Sequence, residues 1–368
     1  MLSQQQDTAF NKCRRLTNHS WGATVPFMKV LVTGADGMLG SYIVRELLQR
    51  DFAVRVLLQP GRHTGTLDGL AVESFEGDIL LRADVLRAID GCDAVIHTVA
   101  ATDIWPLRSR ATWRLNYDAV VQLGEAMLER GLSKLVHIGS ANSFGPGPRH
   151  SPGTEQNSYT DGRFGLDYQD SKYAAQQWLL RQHRERGLPV SIINPTFMFG
   201  AYDSKPGSGA MIIAIAQRKT PGYTRGGKSY VHARDVAVTA VNALTAGRNG
   251  RCYLAAGENL NYREAFRLIA EVVDVTPPRL YLPPLLTLCV GALGSLAASV
   301  SGRKPRISLP MARLANTDCY YSNQRAVGEL EMPTSSLRDA VFEAYSWLRD
   351  HGYLQAEVTR SAVRQELR

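Results

Sequence analysis

The stretch KVLVTGADGMLGSYIVREL, Lys29 to Leu47, decides the fold. An apolar run meets Gly34, Gly37 and Gly40, and a helical pattern follows. A strand that turns sharply into a helix points the helix N-terminus, with its unpaired N–H groups and positive dipole end, at the sheet edge. Gly34 would allow the tight turn. Gly37 would let the backbone approach a phosphate, and Gly40 would let the helix pack closely on the sheet. Such a turn can cradle phosphate, yet the same turn also serves as plain packing. The spacing differs from GxGxxG and lacks the lysine of a Walker loop, so residues elsewhere have to decide.

Outward from this turn, short apolar runs alternate with helical patterns as far as Gly200: AVRVLLQ, AVESFEGD, DAVIHTVA, KLVHIGS and PVSIINPTFMFG are the strand-like pieces. Strands this apolar, interleaved with helices, imply a parallel sheet covered on both faces, an α/β doubly wound fold. After Gly200 the pattern loosens into loop-rich AYDSKPGSGA and KTPGYTRGGKSY, and from Asn261 onward it is mainly helical. The expected organisation is a tail at 1–27, a nucleotide-binding domain at 28–200 to which 229–257 returns, a smaller and mainly helical substrate domain within 201–355, and a tail at 356–368.

The chain has 368 residues, ample for a large core, and a formal charge of +8. Part of that excess sits in the terminal stretches, and no Lys/Arg block or aromatic-interleaved basic stripe occurs, which argues against nucleic acid. An anionic cofactor or substrate suffices to use it. Cys13, Cys92, Cys252, Cys289 and Cys319 are scattered and odd in number, without metal-ligand spacing, so neither a metal site nor a disulfide framework is indicated, and a cytoplasmic setting follows. Residues 1–27 lack the apolar core of a secretory signal. One uncharged segment, LYLPPLLTLCVGALGSLAASVSG at Leu280–Gly302, invites comparison with a membrane span. Pro283 and Pro284 interrupt it, and the expected arrangement is a buried helix lining an apolar substrate pocket rather than a membrane attachment. A homodimer stays open.

The chemistry is carried by YQDSK, which sets Tyr168 and Lys172 four apart and therefore on one helix face. A nearby ammonium favours the phenolate and brings a tyrosine within reach of proton exchange with an alcohol or carbonyl. Upstream, LVHIGSANSFG ends a strand near Ser140, whose hydroxyl could hold a carbonyl oxygen. After the second strand, VRVLLQPGRHTG offers Gln59, Arg62 and His63 but no acid, where an NAD site commonly has Asp or Glu for the ribose. NADP is therefore preferred over NAD.

In order along the chain, TGADGMLG at Thr33–Gly40, the Gly77–Asp78 pair, SANSFG, YQDSK, INPTFMFG and YVHARDVA resemble the extended short-chain dehydrogenase/reductase family, over most of residues 28–355. The resemblance implies a Rossmann-type domain that binds NAD(P). It implies Ser140, Tyr168 and Lys172 as the catalytic triad and Asn116 as the helix residue that supports the lysine through water. It further implies cofactor contacts from Gly34, Asp36, Gly37, Met38, Leu39, Gln59, Arg62, Asp78, Ile79, Val99, Ala100, Tyr168, Lys172, Pro195 and Thr196. Within the family, INPTFMFGAYDSKPGSG, GENLNYREAFRLIAEV and LPPLLTLCVGALGSL are similar to the dihydroflavonol 4-reductase-like and 3β-hydroxysteroid dehydrogenase-like branch, which includes hopanoid-associated sugar epimerase-like proteins. Two departures are Gln59, where many NADP-using relatives have Arg, and Val99, where Ala is usual. The activity so implied is NAD(P)-dependent interconversion of a carbonyl and an alcohol on an apolar small molecule. The alternatives are a nucleotide-sugar epimerase or dehydratase that recycles tightly held NAD, and a cofactor-sensing protein without turnover.

Overall fold

The computed structural model describes residues 28–61, 65–305 and 307–354; Arg62, His63 and the two tails expected at 1–27 and 356–368 lie outside them. The first part alternates strands and helices: β1 (Lys29–Thr33), α1 (Met38–Gln49), β2 (Ala53–Leu58), β3 (Glu73–Glu76), α2 (Arg82–Ile89), β4 (Ala94–His97), α3 (Ala119–Arg130), β5 (Lys134–Ile138), α4 (Asp167–Arg186) and β6 (Val190–Pro195). Helix α3 is entered through a short turn, Arg110–Trp113, and a π-helical turn, Arg114–Asp118. Then come β7 (Phe197–Phe199), α5 (Gly209–Ala216), β8 (Gly222–Tyr223), β9 (Gly227–His232), α6 (Ala233–Asn242) and β10 (Arg251–Ala255).

Seven of these strands form a parallel sheet in the order β3-β2-β1-β4-β5-β6-β10. Valine and isoleucine dominate the central strands because both faces are covered and β-branched side chains fit the pleat. On one face Val30, Val32, Ile96 and Val136 pack beneath α1 and α6. The alanines of α6, Ala233, Ala237 and Ala240, let it lie close against Leu39, Ile43 and Leu47 of α1. On the other face Leu31, Val95 and Leu135 meet Leu123 and Met127 of α3 and Trp178 and Leu179 of α4.

Residues 229–257 divide between two sheets. Helix α6 and β10 lie on the large sheet, whereas β9 runs in a small one, antiparallel to β11 (Glu258–Asn261) and parallel to β7 and β13 (Asp318–Cys319). Around this small sheet pack α5, α7 (Tyr262–Val272) and α11 (Leu337–Asp350), with Phe199, Ile212, Tyr230, Ile269 and Val341 as a second core. Between them lie β12 (Leu280–Tyr281), paired with β8, α8 (Pro284–Ser301), α9 (Leu309–Ala315) and α10 (Gln324–Leu330).

Helix α8 overturns one expectation. The uncharged segment is helical, but it is not a buried pocket wall: only Gly291 and Ala298 are buried along it. Gly291, Gly294, Ser295 and Ala298 face inward, where a Cβ on Gly294 would lie 2.1 Å from the Ile307 carbonyl oxygen. Its large ones, Leu285, Leu286, Val290, Leu293, Leu296 and Val300, are 45–84 % exposed. Close backbone packing selected the small face for the protein side, leaving the leucines outside.

Candidate active site

The large sheet reverses its strand order at β1: β2 and β3 extend to one side, β4, β5, β6 and β10 to the other. In open parallel sheets the crevice beyond the carboxyl ends at such a reversal is where ligands bind. The residues singled out from the sequence, apart from Arg62, follow the carboxyl ends of the strands or lie on helices that begin there. Gly34, Asp36 and Gly37 form the turn after β1. Gln59 follows β2, exposed at the edge, Asp78 and Ile79 follow β3, and Val99 and Ala100 follow β4. Ser140 follows β5, Pro195 ends β6 and Thr196 comes after it, its N–H donating to the Ala255 carbonyl.

The three glycines of the turn have different reasons for being there. Gly34 has φ +68°, and a Cβ on it would lie 2.6 Å from Thr98 Oγ1. A Cβ on Gly40 would lie 2.1 Å from the Gly34 carbonyl oxygen, so the helix can sit on its turn only without a side chain. Gly37 is different: its Cβ would meet no protein atom nearer than 3.4 Å. Protein packing does not demand glycine there, which fits a backbone kept bare for something outside the chain. Helix α1 starts at Gly37 with no side-chain cap and no acid in its first turn, so the N–H groups at Met38 and Leu39 keep the positive end of the helix open to an anion. The turn therefore fits a dinucleotide's pyrophosphate.

Helix α4 carries Tyr168 and Lys172 in its first turns. Asp167, at its start, is held by Arg108 and by the Ser109 N–H, which ties the loop before α3 to this helix. The Lys172 side chain is buried, with Nζ donating to the Ile138 carbonyl at 2.9 Å, and burial pulls its pKa down to about 8. Burial raises the Tyr168 phenol, while a hydrogen bond with Ser140 and the charge of Lys228 on β9 act in the opposite direction. Lys228 is thus a cation whose charge lowers the phenol's pKa, a residue the motif pattern did not mark as catalytic. The Lys228 ammonium also lies over the Phe197 ring, 5.1 Å from its centroid.

Ser140 is fixed from two sides. Its Oγ accepts from the Asn142 N–H, capping a short 3-10 turn at Ala141–Ser143. Its carbonyl accepts from Asn194 Nδ2 on β6, and that same amide donates to Gln176 Oε1, one turn beyond Lys172 on α4. Asn194 thereby locks the serine strand to the tyrosine helix. Sequence reading passed over it, although it stands inside the quoted INPTFMFG stretch. Asn116 lies on the π-helical turn, a feature frequent at functional sites. Its Oδ1 accepts from the Ala101 N–H, and Nδ2 donates to the Ala101 carbonyl and to Ser171 Oγ. Its amide hydrogens are thus committed to the β4 loop and to the neighbour of Lys172 rather than to the lysine itself.

Two buried histidines complete the floor. His97 and His137 are register partners on β4 and β5 and stack with centroids 5.5 Å apart. His97 Nδ1 meets Thr33 Oγ1 at 2.7 Å. Burial, helped by the Lys172 charge, pushes His97 down to about 3 and also lowers His137, so both rings remain neutral.

Residues 30–256 match the NAD dependent epimerase/dehydratase family. The chain belongs to that family. Among similar proteins, Sterol demethylase protein B of Methylococcus capsulatus is 29% identical over 89% of this chain and 100% of its own length. Dihydroflavonol 4-reductase of Zea mays is 26% identical over 51% of this chain and 57% of its own. Among solved structures, that of gox2253 superposes with a TM-score of 0.79 at 29% identity, covering 89% of this chain and 99% of the other. The chain is an NAD(P)-dependent oxidoreductase that acts on a hydroxyl/carbonyl pair of a small molecule.

Proposed function

We propose that this oxidoreductase interconverts a ketone and a secondary alcohol on an apolar ring system, of the dihydroflavonol or steroid kind, and prefers NADPH. The observation that carries the reading is that Ser140, Tyr168 and Lys172 gather at the carboxyl end of β5, on the same edge of the sheet as the glycine turn after β1. When bound, a nicotinamide would supply the hydride to the carbonyl carbon in the direction of reduction. Ser140 orients the carbonyl oxygen, and Tyr168 gives it the proton. Lys172 would hold the cofactor ribose, and the Lys228 charge favours the phenolate left behind. Asn194 and Asn116 are positioning residues, the first for Ser140 and the second for the β4 loop. The acid-free end of β2, with Gln59 exposed and Arg62 close behind in sequence, supports the choice of NADPH.

The test is a screen for oxidation of NADPH and NADH against ketones, flavonoids, steroids and nucleotide sugars. Net NADPH consumption with an apolar ketone is expected. Isomerisation of a nucleotide sugar without net consumption would replace this reading with the epimerase one. In Tyr168→Phe, kcat should fall at least about tenfold, roughly 1.4 kcal/mol of barrier, with cofactor affinity unchanged. A smaller loss removes the tyrosine from the proton path. Equal affinity for NADPH and NADH, or a preference unmoved by Arg62→Ala, removes the role given to the end of β2.

A further inference from the structure

Helix α8 presents its apolar side to the outside, and its surroundings name what covers that side. The outward leucines and valines follow one stripe about 140° wide at 3.6 residues per turn, while Gly291, Gly294, Ser295 and Ala298 form the opposite, inward stripe. Scattered surface leucines need no explanation, but a contiguous patch of this kind marks an interaction site. Along its own stretch of sequence the charge has one sign, although Lys304 is paired with Asp103 from another loop. No Asp or Glu occurs between Asp274 and Asp318, whereas Arg279, Arg303, Lys304 and Arg313 do, all exposed.

We infer that α8 is a lipid-docking helix that lies in the headgroup layer of a bilayer carrying anionic lipids. An apolar stripe buries into the acyl boundary while flanking cations meet anionic headgroups, the arrangement of interfacial helices. A second copy of the chain is a poorer occupant, because a two-fold contact would bring the same basic flanks against each other. By length and composition α8 could cross a bilayer. Its inner stripe, however, is stitched to the protein: the Leu309 N–H donates to Ser295 Oγ at 2.8 Å, and Asn316 Nδ2 donates to Thr287 Oγ1 at 2.7 Å. A docked helix with one stripe free lies on the membrane and does not span it.

The placement matters for access. Lys304 pairs with Asp103 at 3.7 Å, in the loop that follows Val99 and Ala100. Leu288, on the inward side, borders a cleft with Arg163, Phe164 and Arg313. Lipid docking would thus set the membrane beside the site. The docking itself does not depend on the substrate proposed above.

Flotation of the purified full-length protein with vesicles tests this without any activity measurement. Phosphatidylcholine vesicles containing about one third phosphatidylglycerol should carry the wild type upward. The double variant Leu286→Asp/Leu293→Asp, whose changes lie on the exposed stripe, should float at least tenfold less while binding NADPH as the wild type does. Arg279→Glu/Arg303→Glu should lose binding to anionic vesicles, and its residual binding should match that of the wild type to pure phosphatidylcholine. Flotation unchanged in the Asp variant, or absent in the wild type, overturns the inference. So does a dimer in light scattering that the Asp variant dissolves while vesicles recruit nothing. Should the Asp variant misfold, Leu286→Ser/Leu293→Ser provides the same comparison under the same criteria.

Discussion

Helices α1 and α8 are both rich in apolar residues, and they spend them in opposite directions. Helix α1 buries Leu39, Tyr42, Ile43, Val44 and Leu47 against the sheet and α6, whereas α8 buries Gly291 and Ala298 and turns its leucines out. Composition says that a helix wants an apolar partner. Which stripe meets the protein is decided by shape: α1 faces a sheet that large side chains must fill, and α8 faces a backbone segment at Ile307–Ala312 so close that a Cβ on Gly291 or Gly294 would clash with it. The contrast separates the residues that hold the fold from those free to meet another phase.

The largest effect expected from this contrast is at Leu47, which is fully buried. Leu47→Ala should destabilise the protein by about 2–5 kcal/mol, measured by denaturant unfolding. A loss under about 1 kcal/mol would mean that α1 is not part of the cooperative core. Next comes the carboxylate that anchors α1 to α11. Glu343 accepts from Tyr42 OH at 2.6 Å and from Arg234 at 2.8 Å, and it lies 3.1 Å from His232 Nε2. Burial would raise its pKa, but the hydrogen bonds from His232 and Tyr42 and the Arg234 charge outweigh it and bring the group from 4.5 down to about 2. A depressed carboxyl stabilises the fold above its unfolded pKa and ceases to do so as pH falls through the folded one. Wild type should therefore exceed Glu343→Gln by roughly 2–3 kcal/mol at neutral pH, and the gap should close between pH 4.5 and about 2. A gap independent of pH there would assign the effect to packing alone.

The open part of α1 is its N-terminus, and there the comparison can be broken in a third way. Gly37→Ala has room within the protein, so stability should shift by no more than about 0.5 kcal/mol. Its methyl would stand where the pyrophosphate is expected, and NADPH affinity should fall at least about tenfold, ~1.4 kcal/mol. Loss of stability with affinity intact would make the glycine a packing residue after all. The smallest effect belongs to α8: Leu293→Ala should change stability by less than about 0.5 kcal/mol. A cost like that of Leu47→Ala would show that a protein surface covers the helix.

Much of this arrangement was legible in the sequence, because it rests on local signals. The glycine turn, the alternation that builds the parallel sheet and the four-residue step from Tyr168 to Lys172 each lie within one turn or one strand–helix unit. The parts that escaped are set by partners remote in the chain. Asn194 acquires its role from Ser140 and Gln176, and Lys228 faces Tyr168 only because β9 joins the small sheet beside β7. Helix α8 escaped for a related reason. Its glycines could be read as pocket-lining or as close-packing, and the segment that they meet comes after the helix ends.

The contact between Tyr42 and Glu343 spans 301 residues. During synthesis at ~5–20 residues per second, Tyr42 must therefore wait roughly 15–60 s for the carboxylate that accepts its hydroxyl's hydrogen bond. Through that interval the nascent glycine-turn helix can settle on the sheet, but its clasp to α11 is still missing. A ribosome stalled before Glu343 would carry a nucleotide-binding half with that clasp unfastened.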